Sequence, residues 1–148
     1  MLDGRSPSHD SDSEVELLSS EDQKKYKNTI SKDGLDTIFK KNFYGKILQT
    51  PPKYSALKID GKRAMDRMRA GEDVEMKQRE AEIISYKIIS FEYPKLVVEI
   101  TVTAGTYIRS IAHDIGEILG TGGYLSALRR TGVGKLHISS ATLLGDLE

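Results

Sequence analysis

Residues 96–119 change period part-way along, and that change limits the fold more than any other feature of the chain. Over Leu96-Val-Val-Glu-Ile-Thr-Val-Thr103 apolar and polar side chains alternate, with Val98, Ile100 and Val102 on one side and Glu99, Thr101 and Thr103 on the other. Side chains of an extended strand point alternately to opposite faces, so the pattern predicts a strand with one face buried. After Gly105 the apolar positions become Ile108, Ile111, Ala112, Ile115, Ile118 and Leu119. That is the spacing of an amphipathic helix over 107–119. A half-buried strand running into a half-buried helix needs a shared core, which predicts an α+β architecture.

The flanking segments fit this reading. Residues 81–92 are rich in Ile, Tyr and Phe, and Tyr93-Pro94-Lys95 reads as a turn, so 81–92 and 96–103 are expected to form an antiparallel hairpin. Gly120 and the Gly122-Gly123 pair should end the 107–119 helix. Upstream, 19–42 reads as two short helices, with Ser19 and Ser20 before Glu21 and Asp22 at the start and Gly34 weakening a single long one. Residues 43–58 should be extended, since Pro51 and Pro52 forbid helix. A short helix is expected over 61–70, ended by Gly71, another turn or two over 124–130, and a last short strand over 133–138. Residues 3–14 are loop-like, because Ser, Asp and Gly offer the backbone local hydrogen bonds.

With 148 residues the chain has the length of one ordinary domain. No apolar run approaches the roughly 18 residues of a spanning segment, and the acidic, Ser-rich start does not read as a secretory signal. Cysteine is absent, which excludes disulfides and thiolate metal sites and makes a cytoplasmic location the expectation. The net charge of zero conceals a partition: residues 1–22 hold seven acidic side chains and one Arg, whereas 40–79 hold eleven Lys or Arg against five Asp or Glu. A basic block of this kind either binds phosphate through counterion release or is only a solvated surface.

Chemistry is sparse. His9, His113 and His137 are far apart in the chain and lack ligand spacing, so no metal site is expected, and His113 reads as a surface or satisfied helix histidine. No Ser-His-Asp arrangement can be argued. Gly120-Thr-Gly-Gly follows a helix rather than opening one, so it reads as a cap and not a phosphate loop. The stronger signal is Gly105-Thr106-Tyr107-Ile108-Arg109, at the junction of strand and helix. Tyr107 could stack on a nucleobase and Arg109 could pin a carboxylate through a bidentate pair. Equally, Tyr107 could be core packing and Arg109 a structural ion pair; spacing alone leaves both open.

Four segments in order carry a resemblance. They are Gly45-Lys-Ile-Leu-Gln-Thr-Pro-Pro-Lys-Tyr-Ser-Ala-Leu-Lys58, Gly61-Lys-Arg-Ala with Arg69-Ala-Gly-Glu72, Gly105-Thr-Tyr-Ile-Arg-Ser-Ile-Ala-His-Asp-Ile-Gly116, and Leu128-Arg-Arg130 with Gly134. Together they resemble the TruB family of tRNA pseudouridine-55 synthases, which includes the dyskerin branch, from about residue 40 to 140. Gly4-Arg-Ser-Pro-Ser-His-Asp-Ser-Asp12 is similar to that family's acidic loop between two strands. The resemblance implies isomerisation of a uridine in the tRNA T-loop, flipped out of the stack, detached from its sugar and rejoined through carbon by an active-site aspartate. It implies no cofactor and no metal.

Residue by residue, the resemblance makes Tyr107 the tyrosine against the target base and Arg109 the partner of the catalytic aspartate. Asp10 would be a second acidic partner of Arg109, with Pro7 and His9 departing from the family pattern. Leu128 would line the uracil pocket. Tyr54, Ser55 and Lys58 fall in a motif that supports the site and begins an RNA-gripping insertion over about 51–80. Lys53, Lys62, Arg63, Arg67 and Arg69, with Arg129 and Arg130, would grip phosphates; Met65 stands where many relatives have Tyr. On this reading residues 1–18 are the acidic-loop segment and 19–148 a partial catalytic domain.

The family's Gly-x-Leu-Asp-Pro-x-Ala-x-Gly motif is not found. Leu2-Asp3 is followed by Gly4 rather than Pro, and Asp3 lies too close to the acidic loop to be the nucleophile. The C-terminal PUA domain of many relatives is not found either. The expectation is therefore a piece of a synthase, inactive alone and partnered by its N-terminal part and by the tRNA T-arm. The alternatives are a non-catalytic tRNA-binding module and a degenerate fragment.

Overall fold

The computed structural model describes residues 1–142. The chain opens with β1 (Gly4–Arg5) and β2 (Glu16–Leu17), an antiparallel pair that closes the acidic loop between them. Two helices follow, α1 (Ser20–Thr29) and α2 (Lys32–Asn42). The hydroxyls of Ser19 and Ser31 accept from the N–H groups of Asp22 and Gly34, each at 3.1 Å, satisfying amides that a helix start leaves unpaired. The break between the helices therefore falls at Ile30-Ser31 and not at Gly34, which sits inside the first turn of α2.

Next come β3 (Gly45–Gln49), a small hairpin of β4 (Lys58–Ile59) and β5 (Lys62–Arg63), and α3 (Ala64–Arg69). The helix expected over 61–70 is shortened because Gly61 turns the β4–β5 hairpin. β6 (Arg79–Glu92) and β7 (Lys95–Val102) form the expected antiparallel hairpin, with Glu92 opposite Lys95 and Ile88 opposite Val98. β3 pairs antiparallel to the other edge of β6, giving the order β3-β6-β7. Register shifts between Ile83 and Ser85, and between Ile88 and Ser90, move the inward positions of β6 from Ile83 to Tyr86 and from Ile88 to Phe91.

α4 (Ile108–Leu119) supplies Ile111 and Ile115 to a core that also holds Leu2, Leu35, Phe39, Phe43, Ile83 and Ile88. Val98, Ile100 and Val102 pack against it, as their alternation predicts. Each fully buried side chain of this kind stabilises the fold by about 1.5–3 kcal/mol. α4 ends at Gly120, whose φ of 77° is the left-handed cap conformation that disfavours a Cβ. The chain then crosses back over the same helix. A Cβ on Gly116 would lie 2.0 Å from the carbonyl carbon of Gly122, and one on Gly123 would lie 2.2 Å from the Ala112 oxygen.

Residues 124–130 are not helical. Tyr124 donates its N–H to Met1 O at 3.1 Å and Leu125 to His9 O at 3.0 Å, so the segment spends its amides on the chain's beginning rather than on a helical turn. The strand expected over 133–138 is instead a tight hairpin of β8 (Gly132–Val133) and β9 (Leu136–His137), followed by a 3-10 turn, Ile138–Ser140. The whole is α+β. Every named ladder is antiparallel, and the isolated parallel bridge is Asp10 with Leu125. Among the described residues no helix is long and apolar enough to cross a membrane.

Candidate active site

Tyr107 and Arg109 are set by the way α4 begins. Thr106 folds back on Thr103, its hydroxyl donating to Thr103 O at 2.8 Å, and Gly105 between them has φ +83°. Tyr107 is the residue before the helix, and its side chain makes no capping bond. Gln49, at the end of β3, holds it instead. The Tyr107 N–H donates to Gln49 Oε1 at 3.0 Å, and Gln49 Nε2 donates to Tyr107 O at 3.1 Å. One turn on, Ser110 Oγ donates to Thr50 O at 2.8 Å. Gln49 is 2% exposed and Ser110 1%, so these bonds lie away from water, where an unmade partner is costly. Neither was singled out from the sequence; the signal was their place beside Pro51, Pro52 and Tyr107 in the matching segments.

Arg109 lies in the first turn of α4, a turn with no acidic residue. A cation there faces the positive end of the helix dipole, an arrangement that costs about 0.3–1 kcal/mol unless an anion offsets it. Its one hydrogen bond among the described residues runs from Nη1 to the carbonyl of Ser8 at 3.3 Å. The acidic loop is thereby held against α4. Asp10 lies two residues further along, and no ion pair joins it to Arg109. The loop is stiffened from within by the Ser6, Ser8 and Ser13 hydroxyls, which bond one another. From outside, Ser11 N donates to Leu125 O at 2.9 Å and Leu125 N to His9 O at 3.0 Å.

The histidines depart from the sequence reading. His9 and His113, 104 positions apart, stack with parallel rings and centroids 3.9 Å apart. The Nδ1 atoms of both are buried, without a hydrogen-bond partner among the described residues. Burial, then His113 and Arg109, push His9 down to about 4, against a weaker pull from Glu117. Burial also raises the Asp114 carboxyl above its usual range. His113 is thus neither a surface nor a satisfied helix histidine. Among the described residues no three His, Asp or Glu side chains are placed to hold a metal ion.

The remaining candidates are spread more widely. Leu128 is 59% exposed in the extended segment after α4, and Arg129 and Arg130 beside it are exposed. Tyr54 is half-buried, and Ser55 beside it is buried, its hydroxyl without a partner among the described residues. Part of the basic block is neutralised internally: Lys53 pairs with Asp73 at 2.7 Å, Arg63 with Asp66 at 2.9 Å, and Arg67 with Glu72 at 2.6 Å and Asp60 at 3.5 Å. Lys58, Lys62 and Arg69 are exposed, with no ion pair among the described residues. The unpaired positive charge of the block therefore rests on fewer side chains than its eleven basic residues.

The sequence matches two family models end to end. Residues 4–108 match the N-terminal domain of the TruB family pseudouridylate synthases, and residues 109–148 match the C-terminal domain of tRNA pseudouridylate synthase B. The boundary falls between Ile108 and Arg109, so the candidate site straddles it. Among curated relatives, tRNA pseudouridine synthase B of Corynebacterium diphtheriae is 47% identical over 112 residues, covering 73% of this chain and 37% of that protein. The protein of the same name from Burkholderia lata is 45% identical over 105 residues, covering 71% of this chain and 33% of its own length. The chain spans about a third of the length of these relatives. A solved Cbf5-Nop10-Gar1 complex aligns with a TM-score of 0.49 and 28% identity, over 66% of this chain and 24% of that one, a likeness too loose to argue from. The match to the first model alone covers well over half of the sequence, and the chain belongs to the TruB family of pseudouridylate synthases.

Proposed function

We propose that this chain supplies the base-holding part of a tRNA pseudouridine-55 synthase site, acting on a uridine of the T-loop. The observation that carries the reading is the placement of Arg109. It is a cation at the positive end of α4, with one donor spent on a carbonyl and no other hydrogen bond among the described residues, a fork that suits a carboxylate. In a uridine isomerase that carboxylate is the nucleophilic aspartate. The sequence has no Leu-Asp-Pro motif, so the aspartate would come from polypeptide outside these 148 residues. Tyr107, locked by Gln49 one residue before α4, would lie against the flipped base and assist proton transfer. Asp10 would be a second acidic neighbour of Arg109 on the clamped loop, and Leu128, Tyr54 and Lys58 would border the substrate.

The segment 51–80 would serve as the RNA-gripping insertion of a partial catalytic domain over 19–148, with 1–18 as its acidic-loop segment. Lys62 and Arg69, which form no ion pair among the described residues, with Arg129 and Arg130, would carry most of the phosphate contact. Lys53, Arg63 and Arg67 would contribute less while paired with their own acids.

Tritium release from 5-tritiated uridine in tRNA tests the reading. The chain alone should give no turnover. Mixed with a polypeptide carrying the family's Leu-Asp-Pro segment it should turn over repeatedly, and Arg109→Ala should abolish that. Repeated turnover by the chain alone would overturn the assignment of the nucleophile. Tight T-arm binding with no turnover in any mixture would leave a tRNA-binding module.

A further inference from the structure

We propose that His9 and His113 form a stacked clasp that positions the Asp10 loop against the face of α4 that carries Arg109. Two consecutive loop residues are gripped by two α4 residues one turn apart: the Ser8 carbonyl by Arg109, and the His9 ring by His113. Positions four apart on a helix share a face, so the two grips work from one side. His9 adopts φ +60°, a backbone conformation that side chains with a Cβ rarely take, so its place must be imposed by contacts around it. The His9 N–H donated to Ser6 O within the loop, the stacked ring and the Leu125 N–H donated to His9 O are those contacts. What the loop then does, holding Asp10 by the reacting base, rests on the synthase reading; the clasp itself does not.

The clasp requires neutral rings. Parallel imidazoles with centroids 3.9 Å apart tolerate one another while uncharged, but protonating both would set two cations face to face beside Arg109. Acidic groups do not cancel this. On α4, Glu117 faces the pair but is already bonded to Arg5 of β1 at 2.8 Å, and the Asp114 carboxyl is itself held up by burial. Glu14 and Glu16 border the hollow beside His113 with that same Arg5. Within the loop, Asp12 accepts from Ser8 Oγ, and Asp10 lies beside His9 in sequence. The two buried Nδ1 atoms, with no hydrogen-bond partner among the described residues, fit rings placed for stacking rather than for hydrogen bonding.

Imidazole and amide NMR on the full 148-residue chain, without RNA, tests this independently of any enzymatic reading. In the parent protein His9 should titrate below pH 5, and hydrogen-exchange protection at the Leu125 and Ser11 amides should fall over the same pH range. His113→Ala should lower that protection at neutral pH at least fivefold, and His113→Phe, which keeps a flat ring but carries no charge, should restore it. Less than a fivefold change in His113→Ala, or no rescue by Phe, would overturn the clasp. Should the alanine variant fail to fold, the parent titration decides: His9 titrating near 6.5, or Leu125 protection unchanged across the His9 transition, refutes it.

Discussion

Replacing Gln49 tests whether the end of β3 sets the start of α4, and therefore the place of Tyr107. Gln49 is 2% exposed and satisfies both backbone groups of Tyr107, at 3.0 and 3.1 Å. Gln49→Ala strips partners from an N–H and a C=O. Each unmade bond costs about 1–3 kcal/mol when buried, and because Tyr107 is half-buried the lower part of that range applies. Two such losses with a small cavity come to about 3 kcal/mol, roughly a 150-fold fall in the folding constant. With a urea m-value of about 2 kcal/mol/M the midpoint should drop by about 1.5 M. Gln49→Met keeps most of the volume and should cost about 2 kcal/mol, isolating the hydrogen bonds from the cavity. Gln49→Glu should keep the acceptor for the Tyr107 N–H but set a carboxylate oxygen against the Tyr107 carbonyl, so it should recover stability as pH falls and that carboxyl takes a proton. The assay is urea unfolding followed by circular dichroism, with Tyr107 amide exchange as the local readout. If Ala and Met both stay within about 0.5 kcal/mol of the parent, water replaces the side chain without penalty and the positioning argument fails.

Three other outcomes are expected. Gly116→Ala should destabilise by about 3 kcal/mol or prevent folding, because its Cβ would meet the Gly122 carbonyl carbon at 2.0 Å, with rigid backbone as the obstacle; thermal unfolding measures it. His9 is held near 4, below its ordinary 6.5, so the unfolded chain takes the proton first. Its contribution to stability is complete above about pH 6.5 and is lost as pH falls towards 4; water screening of a half-buried ring reduces the full linkage value to about 1–2 kcal/mol, and His9→Asn should flatten that pH slope in urea midpoints. For T-arm RNA, Lys62→Ala and Arg69→Ala should each reduce the slope of log affinity against log salt by about 0.7–0.9, whereas Lys53→Ala, already paired with Asp73 at 2.7 Å, should change it less; fluorescence anisotropy across salt concentrations decides.

What could be read from the residues in advance follows the range of the interactions involved. Strand β7 and helix α4 were legible because their signals are local: Val98, Ile100 and Val102 share one face by geometry alone, and Gly120 caps a helix whatever surrounds it. The caps at Ser19 and Ser31 are equally local, although the helix break belongs to the second of them and not to Gly34. The 124–130 segment failed for the opposite reason. Its amides find acceptors at Met1 and His9, more than a hundred positions away, and no window of sequence contains that competition. The His9–His113 stack and the Gln49 clamp were hidden in the same way. The basic block was legible as a net charge but not as a set of pairs. The charge count over 40–79 includes Asp60, Asp66, Glu72 and Asp73 but does not say which cations they pair with; the structure places them on Lys53, Arg63 and Arg67.

These distant contacts also say how a site of this kind is assembled. Tyr107 is fixed by Gln49, Arg109 by Ser8, Ser110 by Thr50, and the loop by Leu125 and His113. The Arg109–Ser8, Ser110–Thr50 and His113–His9 contacts bridge elements of the first family model to helix residues of the second, while the Gln49–Tyr107 clamp, within the first model, sets the residue just before that helix. The first turn of α4 is thus a junction. Its orientation is set by the end of a strand on one side and by an acidic loop on the other, and the close crossing at Gly116 and Gly123 leaves the helix little room to slide. Such a junction keeps Arg109 in the first turn against the adverse helix dipole because the loop, the strand end and the crossing hold it there. Loosening any one of the three should therefore disturb the guanidinium before it disturbs the sheet, and an RNA-free probe of Arg109 side-chain order, compared between the parent and Gln49→Met, would detect it first.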